Sequence, residues 1–120
     1  MKYRYNKSKY GSVKKTVDGI TFHSTKEADR YCELKLLQHC GSIEQLELQK
    51  KFILIPAQYI NGKCVEKSCS YYADFYYYDK LTGEYCCEDT KGYKKGTAYD
   101  LFVIKRKLML YVHGIRVIEV

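Results

Sequence analysis

The sequence predicts one α/β domain, in which a mixed central β-sheet is flanked by two helices and preceded by an N-terminal hairpin. Its 120 residues are enough for one hydrophobic core and too few for two. Residues 24–40 and 97–113 have the pattern of helices, and strand-forming segments lie between them. Asp18-Gly19 and Asn61-Gly62 each separate short runs of β-formers, which is a strong hairpin signal. The predicted order is hairpin, helix, three strands, helix and strand.

The first helix is bounded by favourable capping residues, with Ser24 as the N-cap and Gly41 as the stop. The apolar stripe predicted to face the core comprises Ala28, Tyr31, Cys32, Leu34, Leu36 and Leu37. Glu27 follows Ser24 by three residues, which is the spacing of a capping box. The Glu27 carboxylate therefore has a structural use available besides any use in a functional site.

The second helix, over residues 97–113, is predicted to be capped by Thr97. The stripe predicted to be buried comprises Leu101, Ile104, Leu108 and Tyr111. Residues 105–107 are all basic, and helical spacing spreads them around the circumference, so only one or two can face a common ligand. A final strand is predicted over residues 115–120.

The first two strands between the helices carry polar candidates. Residues 46–57 form a strand that Pro56 should end or confine to an edge. Its Gln49 either lies on an open polar face or contacts a water or DNA. Residues 64–79 are apolar or aromatic on both faces around Asp74, so this strand should be central. A carboxylate in such a strand is costly unless it is paired or metal-bound.

Residues 71–92 contain the clearest chemical pattern, a tyrosine-rich strand followed by a Thr-Gly turn and a short mixed strand. Because side chains alternate along a strand, Asp89 and Lys91 should share one face and Glu88 should point to the other. Together with Asp74 they can gather two carboxylates and an ammonium, which suits Mg²⁺ and phosphodiester cleavage. The alternative is a surface hairpin with ordinary charges, because short motifs match by chance.

The composition favours a polyanionic partner. The formal net charge is +7, and the 14 tyrosines suit either a wet sheet face or stacking on bases. Residues 1–12 form a basic, tyrosine-rich arm that either tracks a phosphate backbone or is a solvated terminus. The glycine-flanked loop at 92–96 either clamps a phosphate or is a solvated turn. The candidate phosphate contacts are Arg4, Lys14, Lys15, Lys94 and Lys95.

The expected location is the cytoplasm, because the N-terminus lacks the apolar segment of a signal peptide and no apolar run reaches the length of a membrane span. The six cysteines should then be reduced. A zinc site is disfavoured, since no CxxC pair of the usual spacing is present and the adjacent Cys86 and Cys87 should point to opposite faces.

The segment from Asp74 to residues 89–91 (Asp-Thr-Lys) resembles the PD-(D/E)XK nuclease superfamily, with Asp74 as the first aspartate and 89–91 as the (D/E)XK triplet. Glu27 on the upstream helix and Gln49 on the preceding strand extend the likeness over most of the chain. Ala73 stands where the motif has proline. The nearest likeness is to a small phage-associated family of uncharacterised nuclease-like proteins. A more distant one is to the endonuclease subunit of heteromeric transposases.

The resemblance implies a Mg²⁺- or Mn²⁺-dependent DNA endonuclease. The implied metal ligands are Asp74, Asp89, the Thr90 backbone carbonyl and Glu27. Lys91 is implied to act on the attacking water or on the charge of the transition state.

The expected substrate is branched or recombination-intermediate DNA, because no base-reading element is visible in the sequence. Such an enzyme is expected to act as a homodimer, in the host-cell cytoplasm if the protein is phage-encoded. The alternatives are a non-catalytic nucleic-acid-binding protein on a nuclease-like scaffold and a transposase-type end-nicking nuclease. A module that binds an acidic protein is a further alternative, and it predicts no steep salt dependence of DNA affinity.

Overall fold

The computed structural model describes residues 13–120, so the predicted arm at 1–12, including Arg4, lies outside the described residues. Strands β1 (Lys15–Val17) and β2 (Ile20–Phe22) precede helix α1 (Thr25–His39). There follow β3 (Ile43–Ile55), β4 (Gln58–Ile60), β5 (Lys63–Glu66), β6 (Cys69–Asp79) and β7 (Glu84–Asp89). Helix α2 (Thr97–Leu108) continues into a π-helical turn (Met109–His113), and β8 (Val117–Glu119) follows. No helix in this part of the chain is long and apolar enough to cross a membrane.

Four strands form one mixed sheet in the order β3, β6, β7, β8. The β3–β6 and β6–β7 pairs are antiparallel, and the β7–β8 pair is parallel because α2 carries the chain back across the sheet. Strand β6 is therefore central, as predicted, and β3 lies at an edge and ends before Pro56. The prediction of a single α/β domain with a mixed sheet and two helices is confirmed.

Two tight hairpins lie where the sequence predicts them, at Asp18-Gly19 and Asn61-Gly62. The φ angles of these four residues are 52°, 75°, 50° and 79°, in the left-handed region that glycine adopts freely and that Asp and Asn tolerate. The prediction of one continuous strand over residues 64–79 is wrong. That segment is divided into β5 and β6 because β5 pairs with β4 while β6 pairs with β3.

A helix covers each face of the sheet. Helix α1 packs with the N-terminal hairpin in one cluster of buried residues, namely Phe22, Ala28, Tyr31, Leu34, Ile43, Phe75 and Tyr77. Helix α2 packs in a second cluster, namely Leu54, Tyr71, Ala73, Cys87, Phe102, Met109 and Val117. The neighbours Cys86 and Cys87 pack against different clusters, and neighbours on a strand point to opposite faces, so the two helices lie on opposite sides.

The predicted start of α1 is confirmed, because Ser24 Oγ accepts the backbone N–H of Glu27 at 3.1 Å. Part of the predicted apolar stripe is buried, namely Ala28, Tyr31 and Leu34, and the rest is exposed, namely Cys32, Leu36 and Leu37. At about 100° of turn per residue, the exposed members lie more than a quarter-turn from the centre of the buried arc.

Two predictions for α2 are wrong. The helix begins at Thr97 with Gly96 in the capping position, at φ 93°, and no side chain caps it. The buried residues of α2 and its π-helical turn are Phe102 and Met109, seven positions apart. The members of the predicted stripe that are exposed instead are Leu101, Ile104 and Tyr111. Because α2 is apolar on several sides, periodicity alone did not identify the side that packs on the sheet.

Strands β3 and β6 change faces halfway along their length. Tyr71 and Ala73 lie in the cluster under α2 and Phe75 and Tyr77 in the cluster under α1, although a spacing of two would put all four on one face. On β3 the change falls at Gln49, whose φ of 51° is a strained value for a residue other than glycine. The change of faces lies between the two cores, and a cleft opens there.

Candidate functional site

Strands β6 and β7 separate at the cleft. Their ladder ends at the pair formed by Phe75 and Glu88. One residue further along β6, Asp74 Oδ2 accepts hydrogen bonds from the backbone N–H and the hydroxyl of Thr90, at 2.8 and 2.7 Å. The Asp74 carboxylate thus replaces the missing backbone pairing and holds the end of β7.

Asp89 is buried at the end of β7, with 4% of its surface exposed. Its Oδ2 accepts the Tyr71 hydroxyl at 2.6 Å, and its Oδ1 lies 2.8 Å from Lys91 Nζ. Burial raises the pKa of Asp89 and the negative charge of Asp74 raises it further, while Lys91 and Tyr71 oppose this rise. A cation in the cleft would therefore relieve an unfavourable concentration of negative charge.

Two contacts hold the Lys91 ammonium in place, and a third holds the Lys91 backbone. It pairs with Asp89 and lies 4.2 Å from the ring centroid of Phe102, a favourable cation–π distance. Its own carbonyl accepts a 2.9 Å hydrogen bond from Lys26 Nζ, which ties α1 to the segment after β7. The ammonium is thereby placed beside the carboxylates without being sealed in the core.

Glu27 adds a third carboxylate from α1, and 7% of its surface is exposed. Gln49 Nε2 donates to Asp74 Oδ1 at 3.0 Å and lies 3.4 Å from Glu27 Oε1, so it bridges the two acids. Burial raises the pKa of Glu27, and the charge of Asp74 adds to this effect. The backbone N–H of Glu27 serves the helix cap while its carboxylate lines the cleft.

The cleft has a volume of about 740 Å³ and is bordered by both helices and by the ends of β6 and β7. It brings together the candidate residues Glu27, Asp74, Asp89, Thr90 and Lys91. Further lining residues include Lys26, Tyr71, Tyr72, Leu101, Phe102 and Lys105. Three lysines and three carboxylates thus share one opening, a combination that suits an anionic substrate held through a cation.

Glu88 points away from the cleft, as the alternation of strand side chains predicts. It accepts two hydrogen bonds from Arg30, at 2.8 Å and 2.7 Å, and one from the Tyr77 hydroxyl. Its partners lie on the α1 side of the sheet. Glu88 therefore holds α1 to β7, and Asp89 is the acid that faces the cleft.

The more distant candidate phosphate contacts do not gather around the cleft. Lys94 pairs with Glu119 at 3.2 Å, and Lys15 lies 3.3 Å from Asp29. Lys14 and Lys95 are exposed. Of the basic run in α2, Lys105 lines the cleft, Arg106 pairs with Glu119 at 2.8 Å, and Lys107 is exposed.

Sequence reasoning missed three residues of the cleft, namely Lys26, Tyr71 and Phe102, and it left open which of the basic residues 105–107 faces a ligand. Lys26 adjoins Glu27 in the chain, and that adjacency was an available signal. No signal identified Tyr71, because regular alternation does not anticipate the change of faces between it and Asp74. Phe102 was not identified because the sequence analysis predicted the wrong buried face for α2.

No group of three or more His, Cys, Asp or Glu residues among residues 13–120 is close enough to hold a metal ion by itself. All six cysteines are free thiols, with Cys87 buried and Cys32, Cys40 and Cys64 exposed. Any divalent cation in the cleft would therefore need oxygen donors from the backbone, water or substrate besides the carboxylates.

The fold and the cleft define a small α/β protein with an acidic, lysine-bordered opening where two central strands separate. The chain belongs to the family described as "Protein of unknown function (DUF1064)", whose model matches residues 7–115. Comparison with curated proteins and with solved structures found no match.

Proposed function

We propose that this protein is a metal-dependent DNA endonuclease that cuts by structure rather than by sequence. One observation carries the proposal: Glu27, Asp74, Asp89 and Lys91, which come from α1, β6, β7 and the segment after β7, line one cleft. Two carboxylates, a helix-borne glutamate and a lysine form a set suited to phosphodiester hydrolysis.

The order of elements supports the proposal. A helix, three antiparallel strands, a second helix and a parallel strand are what the resemblance to PD-(D/E)XK nucleases implies for the core. In that resemblance the first aspartate lies on the middle strand and the D-x-K triplet at the end of the next, as Asp74 and residues 89–91 do here.

The donor set fits Mg²⁺ or Mn²⁺. Asp74 and Asp89 would hold the ion, with the Thr90 carbonyl and Glu27 as further oxygen donors. Mg²⁺ usually takes only one or two carboxylates from a protein and keeps waters and substrate oxygens for the rest, so a cluster of three acids is not required. When bound, the ion would lower the pKa of a water and neutralise charge on the phosphate. The pKa of Asp89, raised in part by the charge of Asp74, is consistent with such a partner.

Lys91 would donate a hydrogen bond to the attacking water or to a phosphate oxygen. Its contacts with Asp89 and Phe102 fix the ammonium before any substrate arrives, so little reorganisation is needed. Tyr71 would keep the Asp89 carboxylate in one orientation through its buried hydrogen bond.

Lys26 and Lys105 would hold the DNA backbone from opposite sides of the cleft, because one lies on α1 and the other on α2. The formal net charge of +7 favours such binding over the whole surface. A homodimer would place two such clefts on two strands of a branched DNA.

A non-catalytic DNA-binding protein is the second candidate. It is favoured by the observation that residues 13–120 contain no ready cluster of three metal ligands. The Lys91 ammonium and the Asp89 carboxylate form an ion pair, with 2.8 Å between Nζ and Oδ1, as they would in a purely structural role.

Cleavage of labelled four-way junction, duplex and single-stranded DNA in Mg²⁺, Mn²⁺ or EDTA tests the proposal. We expect cutting that requires the metal, that prefers the junction and that Asp74→Asn lowers at least 100-fold, of the order found when a charge-stabilising group is removed. The matched control is Asp100→Asn, an exposed aspartate of α2 outside the cleft, which should cut like the unmodified chain. DNA binding without cutting in either metal would favour the second candidate.

A further inference from the structure

A tyrosine that lines the cleft makes no ring contact and no side-chain hydrogen bond with any of residues 13–120. Tyr72 lines the cleft two residues before Asp74, and 51% of its surface is exposed. Among the described residues, no ring stacks on it and no hydrogen bond engages its hydroxyl. Packing within the described residues therefore does not account for an aromatic side chain at position 72.

The other tyrosines of this strand differ in that respect. Tyr76 stacks on Tyr85 with a centroid distance of 5.3 Å and an interplanar angle of 9°, and Tyr78 meets the edge of Tyr85 at 5.2 Å. Tyr77 donates its hydroxyl to Glu88. These rings already have partners, whereas Tyr72 lines the cleft with half of its surface exposed.

The surroundings of Tyr72 carry positive charge. Lys51 is its cross-strand partner on β3 and is exposed. Directly opposed residues on antiparallel strands have neighbouring side chains on one face of the sheet, so the Lys51 and Tyr72 side chains are neighbours. Lys26 and Lys105 line the same cleft. An exposed aromatic ring with lysines on the same surface is an arrangement by which proteins hold a nucleotide, with the ring on the base and the ammonium groups on phosphates.

We propose that Tyr72 and Lys51 bind an unpaired nucleotide next to the phosphate that the cleft cuts, and that this contact selects DNA with a branch, a flap or a frayed end. This inference rests on the proposed function. Bases inside a duplex are covered on both faces by their neighbours, so a ring can stack only on a base that has left the stack or that ends it. Perfect duplex would leave Tyr72 without a partner.

Two variants separate stacking from other effects. Tyr72→Ala removes the ring, and Tyr72→Phe keeps it. We expect Tyr72→Ala to lower kcat/KM on a junction or a flapped DNA about 5- to 100-fold, the range for losing one base stack, and to leave cutting of perfect duplex within about twofold. Tyr72→Phe should behave like the unmodified chain on every substrate. Lys51→Ala should lower cutting of the branched substrates alone, by a smaller factor.

The matched control is Tyr111→Ala, since this side chain is 89% exposed and does not line the cleft. It should change no rate. Equal losses for Tyr72→Ala on branched and duplex DNA, or no loss on either, would overturn the inference while the nuclease proposal stands.

A binding measurement decides the inference even if no DNA is cut. The full chain is titrated in EDTA into a flapped oligonucleotide with 2-aminopurine at the unpaired position beside the branch. We expect the fluorescence to be quenched by the unmodified chain and by Tyr72→Phe, and to be unchanged by Tyr72→Ala at concentrations that bind the DNA. Equal quenching by all three proteins would refute base stacking by Tyr72. Absence of cutting with quenching that depends on Tyr72 would refute the nuclease proposal and keep the nucleotide site.

Discussion

Asp74 and Thr90 are joined by two hydrogen bonds across the point where the two central strands separate, one from the Thr90 N–H and one from its hydroxyl. A carboxylate so held keeps both oxygens in a fixed direction. A substitution of Thr90 can remove the hydrogen bond from its hydroxyl and keep the one from its backbone N–H. Such a variant tests how far the site depends on the orientation of the Asp74 carboxylate.

Thr90→Val should lower metal-dependent cleavage about tenfold and the free energy of unfolding by about 1 kcal/mol, because one hydrogen bond to a half-buried carboxylate is lost while the shape of the side chain is kept. Steady-state cleavage and urea unfolding measure the two effects. Thr16→Val is the matched control, since the Thr16 hydroxyl contacts Thr21 in the exposed hairpin at 3.1 Å. An equal loss of activity in both variants would contradict an orienting role for Thr90.

Lys91→Met should keep the packing against Phe102 and lose the ammonium. We expect cleavage to fall 100- to 1,000-fold, roughly the effect of removing one preorganised charge donor, while DNA binding in EDTA weakens by less than about tenfold. Lys35→Met, at an exposed position of α1, controls for the lost charge. Unchanged cleavage by Lys91→Met would remove this lysine from the chemistry.

Tyr71→Phe and Tyr31→Phe each delete a tyrosine hydroxyl that donates to an aspartate, at 2.6 Å to Asp89 and at 2.9 Å to Asp18. Both should lose about 1–2 kcal/mol of stability in thermal unfolding. Only Tyr71→Phe should also lower cleavage, about 10- to 100-fold, because only Asp89 lies at the site. A loss of activity in Tyr31→Phe of the same size would show that reduced stability, rather than the orientation of Asp89, is the cause.

Glu88 and Asp89 are neighbours with opposite roles. Glu88→Gln should lower stability by about 2–4 kcal/mol, because the buried contacts of Arg30 and Tyr77 lose their charged acceptor, and should leave cleavage per folded molecule nearly unchanged. Asp89→Asn should abolish cleavage and change stability less than Glu88→Gln does, because burial and the charge of Asp74 already disfavour the ionised form of Asp89. Activity assays normalised to the folded fraction by circular dichroism distinguish the two, and the reverse pattern would make Glu88 the functional acid.

Glu27→Gln should stabilise the protein in EDTA at pH 7. The folded-state pKa of Glu27 is raised above 4.5 by burial and by Asp74, so the folded chain binds a proton more readily than the unfolded chain. The free energy of unfolding therefore falls as the pH rises from 4.5 through the folded-state pKa of Glu27. Above that pKa, the ionised Glu27 carboxylate destabilises the folded chain. We expect Glu27→Gln to be more stable than the unmodified chain at pH 7 and the difference to vanish below pH 4.5. Urea unfolding across this pH range measures the gain, and a variant less stable than the unmodified chain at pH 7 would contradict the expected cost.

Much of the fold could be predicted because the informative signals are local. The two hairpins follow from Asp-Gly and Asn-Gly, whose residues tolerate left-handed φ angles, and the start of α1 follows from Ser24. The central position of β6 follows from the apolar character of both its faces. These features are fixed by a few adjacent residues and need no knowledge of the rest of the chain.

What could not be predicted depends on packing between distant segments. The apolar residues of α2 lie on several sides, and only contact with the sheet selects Phe102 and Met109. The change of faces at Gln49 and Asp74 breaks the alternation on which strand predictions depend. The alternation does hold within β7, and for that reason the opposite directions of Glu88 and Asp89 were predicted correctly.

The distribution of the thiols has a practical consequence. Burial, together with the charge of nearby carboxylates, raises the pKa of Cys87 to about 12, so this thiol, two residues before Asp89, will resist alkylation. Cys32, Cys40 and Cys64 are exposed and will react first. A maleimide dye can therefore be attached to the native chain without modifying the cleft, and its emission can test, one molecule at a time, whether the chain captures DNA.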